Sequence, residues 1–159
     1  MYLFEKMPPS SRVWIYQSNR EFTSTELEFI QKQSVAFISQ WTSHQHLMHA
    51  CIKLLYKQFI VIVVDEQTAP ASGCGIDKSV KFIQELEQNL SISLLDRTMV
   101  AYRIGGKTDP IETCHINDLK NLPEKKTLYV FNNLVTTKED FEKHWETPIQ
   151  NSWHLQFLQ

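Results

Sequence analysis

The chain has no excess of basic charge: 16 Lys and Arg stand against 18 Asp and Glu, a net charge of −2 with the histidines neutral. A nucleic-acid binder needs a positive face to displace counterions from phosphate, so no nucleic-acid partner is expected. Cysteine is sparse. Cys51, Cys74 and Cys114 are an odd number, widely spaced and without a CxxC pair. That is neither a disulfide framework nor a zinc site, and it suits a reducing compartment. Long apolar runs are missing too: Phe59–Val64, the longest, has six residues, where a membrane helix needs about 20. The opening stretch from Met1 to Pro9 lacks the basic start and apolar run of a secretion signal. Membrane insertion is therefore not expected, and a cytoplasmic location is. No internal repeat, low-complexity run or linker breaks the chain, so its 159 residues read as one domain. A chain this long buries roughly 68–70% of its unfolded surface, so no metal or disulfide is needed to hold it. No cofactor is expected either.

What is present is an ordinary globular composition, 42% hydrophobic and 21% charged. Arg12 to Gln17 is rich in β-branched and aromatic residues and reads as a first strand. Thr23 and Glu26 have capping-box spacing, and the period of Leu27, Ile30, Ser34, Phe37 and Trp41 predicts an amphipathic helix. Two extended runs follow, Met48 to Leu55 and Phe59 to Val64, the second continuously apolar as in a central strand. Ile76, Val80, Ile83, Leu86 and Leu90 mark a second helix, and Thr98 to Ile104 a fourth strand. This order is βαββαβ, the split βαβ of a ferredoxin-like sandwich. The expected fold is thus α+β, with a core over residues 11–104 and a C-terminal extension over 105–159. In the extension, Gly105-Gly106 predicts a hairpin turn returning through Ile111–Ile116. A strand over Thr127–Asn132 and a short helix capped by Thr136 or Thr137 follow, and then an apolar tail that docks.

Two stretches look like pieces of a nucleotide site. Phe59 to Glu66 has the form of a Walker B strand, in which Asp65 would hold Mg²⁺ and Glu66 would polarise water. Ala101 to Thr108 approaches a P-loop, but Ala101 replaces its first glycine, and Asp109-Pro110 follows where a helix must begin.

The runs Ser11–Gln17, Val64–Glu66, Ala71–Asp77, Ser79-Val80 and Phe82–Glu87, with Val130–Leu134 and the closing Ser152-Trp153-His154, resemble a family of small bacterial proteins. Members of that family often carry the label "ABC transporter ATPase". The likeness spans nearly the whole chain. It implies a bacterial source and, by the label, nucleotide hydrolysis. The incomplete P-loop removes the phosphate cradle this chemistry needs, so the label is not expected to describe a real activity.

The loop from Asp65 to Asp77 is the expected place for a site. A helix N-terminus carries partial positive charge and unpaired N–H groups, so Ser72, Gly73 and Gly75 could cradle an anion. Asp77, placed in the first turn, would compete with it. Cys74 is the candidate nucleophile, with Asp65 and Glu66 as base or metal ligands. The alternative is that the glycines only shape a strand-to-helix connection and Cys74 is buried as a small apolar residue. His44, His46 and His49 share no face of a helix or strand, so they read as a polar loop rather than a metal site. Trp14 and Tyr16 share one strand face, and Trp153 lies in the docking tail; all three are candidate interaction anchors. Asn132-Asn133 reads as a turn.

No nucleophile–base pair stands at a legible spacing. The expectation is a non-catalytic binding or interaction module of the cytosol. Its partner would be another protein or a second copy, met as a homodimer through an exposed sheet. A small-molecule enzyme or anion-binding protein using the Asp65–Asp77 loop is the alternative.

Overall fold

The computed structural model describes residues 1–123 and 127–159. Its core begins at β5 (Phe59–Asp65), a run whose residues from Phe59 to Val64 are all buried. Alternation along a strand sends successive side chains to opposite faces, so this strand must be covered on both. It lies between β1 (Arg12–Gln17) and β4 (His49–Leu55), antiparallel to each, in a three-stranded sheet. The β4–β5 turn puts Tyr56 and Lys57 at φ 51° and 53°, the left-handed geometry that matches strand twist in a tight hairpin.

On one face, Tyr16, Ile52, Ile60, Ile62 and Val64 pack against Ile30 and Ile38 of α1 (Ser24–Gln40) and Phe82, Ile83 and Leu86 of α2 (Gly73–Leu90). The start of α1 is fixed by the expected capping box: Thr23 Oγ1 accepts from Glu26 N–H, and Glu26 accepts from Thr23 N–H at 2.9 Å. Arg20 grips both oxygens of Glu26 at 2.8 and 2.9 Å, and these bonds pull that carboxyl down to about 2. Between α1 and β4 stands a small hairpin, β2 (Thr42–Ser43) and β3 (His46–Leu47), turning through His44 and Gln45.

On the other face, Val13, Ile15, Phe59, Val61 and Val63 meet a second sheet through Ala101, Phe131 and Trp145. That sheet has the antiparallel order β7-β6-β8-β9, from β6 (Met99–Ile104), β7 (Glu112–His115), β8 (Leu128–Phe131) and β9 (Glu146–Pro148). Phe59, Phe131 and Trp145 form a mutually touching aromatic cluster with centroids 4.9–5.0 Å apart. Beside it Arg103 is buried over the Tyr56 ring and 3.0 Å from Glu146. The outer face of the second sheet, with Val100, Tyr102, Leu128 and Val130, is covered by Leu119, Ile149 and Phe157. The short helix α3 (Lys138–His144), capped by Thr137, closes the inter-sheet layer with Phe141.

The fold is therefore α+β, built as helices, sheet, sheet and irregular cover. Two expectations are corrected. The first three strands stand in the order β1-β5-β4 with both helices on one face, but the fourth, β6, pairs with β7 and β8 instead of β1. The single four-stranded ferredoxin-like sheet is not formed, because residues after α2 cross beneath the first sheet and seed the second. The exposed sheet face expected as a dimer surface is absent too: the second sheet covers it.

The P-loop-like stretch is the β6–β7 turn, with no helix at Lys107. Gly105 has φ 91°, and a Cβ there would lie 2.7 Å from Asp109 Oδ2, so the turn itself needs this glycine.

Candidate functional site

The Asp65–Asp77 loop is folded around its own polar groups. Ser72 caps α2, its hydroxyl accepting from Gly75 N–H at 3.4 Å. Ser43, from the β2–β3 hairpin, hydrogen-bonds the Ser72 hydroxyl and accepts from Ser72 N–H at 3.3 Å. Gly75 is buried against Ser43, which a Cβ would meet at 3.2 Å, and its carbonyl accepts from Trp41 Nε1 at 2.8 Å. Lys78 clamps the hairpin from below through the Thr42 carbonyl at 2.9 Å. Gly73 is exposed, with open space where a Cβ would be.

Asp65 accepts from Gln67 N–H at 3.0 Å in a local turn, and Glu66 pairs with Arg12 at 3.3 Å. Asp77 is exposed beyond the first turn of α2, not within it, because the helix starts as early as Gly73. Cys74 is exposed, whereas burial pushes Cys51 and Cys114 up to about 11. Asp65, Glu66 and Cys74 make no hydrogen bond to one another among the described residues. His44 and Gln45 form the hairpin turn, and His49 Nδ1 meets Thr68 Oγ1 at 3.2 Å. Among the described residues no three His, Cys, Asp or Glu side chains gather as a metal site.

A cavity of about 450 Å³ lies elsewhere, along the outer edge of β1. Its size is that of a small-ligand site. It occupies the space that a fourth ferredoxin-like strand would fill, and it owes its existence to β6 leaving for the second sheet. Its walls come from β1, from the Leu94–Val100 crossing, from the Phe131–Thr136 turn after β8, and from Trp153 and His154 of the tail.

The β1 edge is tied at the Val13 N–H and at the Ile15 carbonyl and open between them. Val13 N–H donates to the Thr136 carbonyl at 2.9 Å, and the Ile15 carbonyl accepts from Arg97 at 3.3 Å. Arg12, Trp14 and Tyr16 direct their backbone groups to β5, so Val13, Ile15 and Gln17 direct theirs outward. Ile15 N–H and the Val13 carbonyl face the cavity without a protein partner among the described residues. Such a buried backbone pair is normally satisfied.

The lining polar side chains are largely held in place. Asn133 donates to Gln17 Oε1 at 3.0 Å and accepts from Trp145 Nε1 at 2.9 Å, while Asn132 accepts from Trp153 Nε1 at 3.0 Å. His154 is 2% exposed, stacks on Trp153, and meets the Ser152 hydroxyl through Nδ1 at 2.7 Å. Burial depresses the ring to about 4, so it is neutral at physiological pH. Ser152 does not line the cavity, so this pair orients an imidazole and presents no nucleophile. Arg12 lies over Trp14 at 4.9 Å and Arg97 over Tyr16 at 5.8 Å. Asp96 accepts from Thr98 N–H and hydroxyl at 2.8 and 2.6 Å, bonds that lower its carboxyl.

Trp14 and Trp153, two of the three expected anchors, line this cavity. Tyr16 does not; at 3% exposure it belongs to the helix-side core. Arg97, Asn133 and His154 were not singled out by the sequence as site residues. The stretches around Trp14, Asn133 and Trp153 meet here, while Ala71–Asp77 stands at the start of α2. Among the described residues no helix is long and apolar enough to cross a membrane. Compared with protein-family models, curated proteins and solved structures, the chain matches none of them.

Proposed function

We propose that the protein is a cytoplasmic binding module without catalytic chemistry of its own, and that its ligand sits in the cavity beside β1. The observation that carries this reading is the open Val13–Ile15 backbone pair, facing a hollow of mainly apolar walls between the Thr136 and Arg97 contacts. Fixed polar groups in an apolar recess of this size orient a small ligand. The absence of a nucleophile with a facing base among the lining residues favours binding over turnover. A loop enzyme built on Cys74 has weaker support, since the Ser72 and Gly75 groups are engaged by Ser43 and Trp41.

A second reading, association with a protein or a second copy, draws on the exposed Met1, Tyr2, Leu3 and Leu47 near the free side of β4. There Tyr2 N–H meets the Ala50 carbonyl and its ring stacks on His49. Light scattering over a dilution series that stays monomeric removes the homodimer.

Thermal unfolding against Mg-ATP, phosphate, nucleotides, divalent metals and small organic acids and amides tests the cavity. A ligand at 100 times its Kd stabilises by about 2.7 kcal/mol. The expected shift disappears in Thr136→Trp, which fills the cavity mouth, and survives in Ser72→Ala. The reverse pattern moves the site to the loop, and a flat panel rejects small-molecule binding.

A further inference from the structure

Resting on the reading of the cavity as a ligand seat, we infer that its occupant is a small organic carboxylate with an apolar body, held by Arg97 and Ile15 N–H. The two cations of the lining are not equivalent. Arg12 is paired with Glu66 at 3.3 Å and packed on Trp14. Arg97 makes no carboxylate ion pair among the described residues. One of its nitrogens is tied to the Ile15 carbonyl, which places the guanidinium on the same peptide segment as the open Ile15 N–H. The guanidinium and the Ile15 N–H set two donors side by side, with the open Val13 carbonyl one peptide further toward Thr136, and a carboxylate is the group whose two oxygens match the donors.

Asp96, which also lines the cavity, accepts from Thr98 N–H and hydroxyl through one oxygen and forms no ion pair with Arg97. Away from these donors the walls are Leu94, Trp14, Phe131 and Val135, with the neutral His154 ring. They suit a hydrocarbon or aromatic body and offer no further cation for a phosphate dianion. A peptide chain would need a longer free edge than the one rung between Thr136 and Arg97.

The test is ¹⁵N NMR of the full chain, following the Ile15 amide and the Trp153 indole N–H during titration. The probes are benzoate and indole-3-acetate, their primary amides benzamide and indole-3-acetamide, and inorganic phosphate. Both acids are expected to move both signals, with Kd at least about tenfold tighter than the matching amides. R97Q is expected to bring the acids to the level of the amides, with R97K between the two because a lysine keeps the charge but not the fork. The acid–amide comparison in the unmutated protein stands even if R97Q proves unstable. Equal binding of acid and amide overturns the carboxylate assignment and leaves the ligand seat in place. Phosphate binding more tightly than either acid also overturns it. No movement with any probe up to about 10 mM, the range of weak fragment binding, removes both the assignment and the seat.

Discussion

The start of α2 and the outer edge of β1 both gather polar groups beside the same three-stranded sheet, yet they end in opposite states. At α2, the groups that would cradle a ligand meet the chain itself, Ser72 meeting Ser43, Gly75 meeting Trp41 and Asp65 meeting Gln67, while Gly73, Cys74 and Asp77 stand exposed. At β1, the caps stop short, and one backbone rung is left facing a cavity that the buried His154 ring also lines. Polar residues near a glycine-bearing turn are therefore weak markers of function, because local bonds satisfy them cheaply. Polar backbone that a fold leaves open next to apolar walls is a stronger one, since leaving it unmet costs stability.

The largest effect that would break this contrast comes from the shared wall. Phe131→Ala removes the aromatic that touches Phe59 and Trp145 and lines the cavity, and should cost about 3–5 kcal/mol in urea unfolding. A loss below about 1 kcal/mol would show that the cavity side is held by other contacts.

His154 gives the next effect. Its folded value is about 4 against an ordinary 6.5. Above pH 6.5 the ring is neutral folded and unfolded. As pH falls below that, only the unfolded chain takes the proton, so stability drops until the folded ring also titrates near 4. Between pH 7 and pH 5 this amounts to about 2 kcal/mol. The loss should be absent from His154→Gln measured in parallel; an unchanged pH slope in that variant would place the ring in water.

Ser72→Ala should cost about 1 kcal/mol through the lost cap, with no change in ligand-induced stabilisation. Loss of ligand response in this variant would collapse the contrast between the two regions. Smallest of all, Cys74→Ser should change stability by less than about 0.5 kcal/mol. A thiol reagent should label Cys74 first in the native protein and Cys51 only on unfolding; early labelling of Cys51 would mean the layer between the sheets opens readily.

Local patterns carried much of this fold. The Thr23–Glu26 box, the all-apolar Phe59–Val64 strand and the turn at Gly105 were legible because each is decided within a few residues. The partner of β6 was not legible. A strand such as Met99–Ile104, buried on both faces, reads the same whether it closes a ferredoxin-like sheet or opens another. The cavity follows from that choice, so it was invisible for the same reason. Trp14 and Trp153 stood out as aromatics without an evident core position. Asn133 looked like turn chemistry, and it does make the turn while also holding Gln17 and Trp145. Arg97 carried no signal, because its importance lies in the carbonyl of Ile15, 82 residues earlier.

The brevity of the open rung has a consequence for solubility. A bare strand edge invites the strand of another molecule, and ordered stacking along such edges is how many folded proteins begin to polymerise. Here Thr136 closes one end of β1 and Arg97 plants a charge at the other, so an incoming chain finds no run of groups to copy. The same two residues that bound the cavity also deny that edge to a second protein strand.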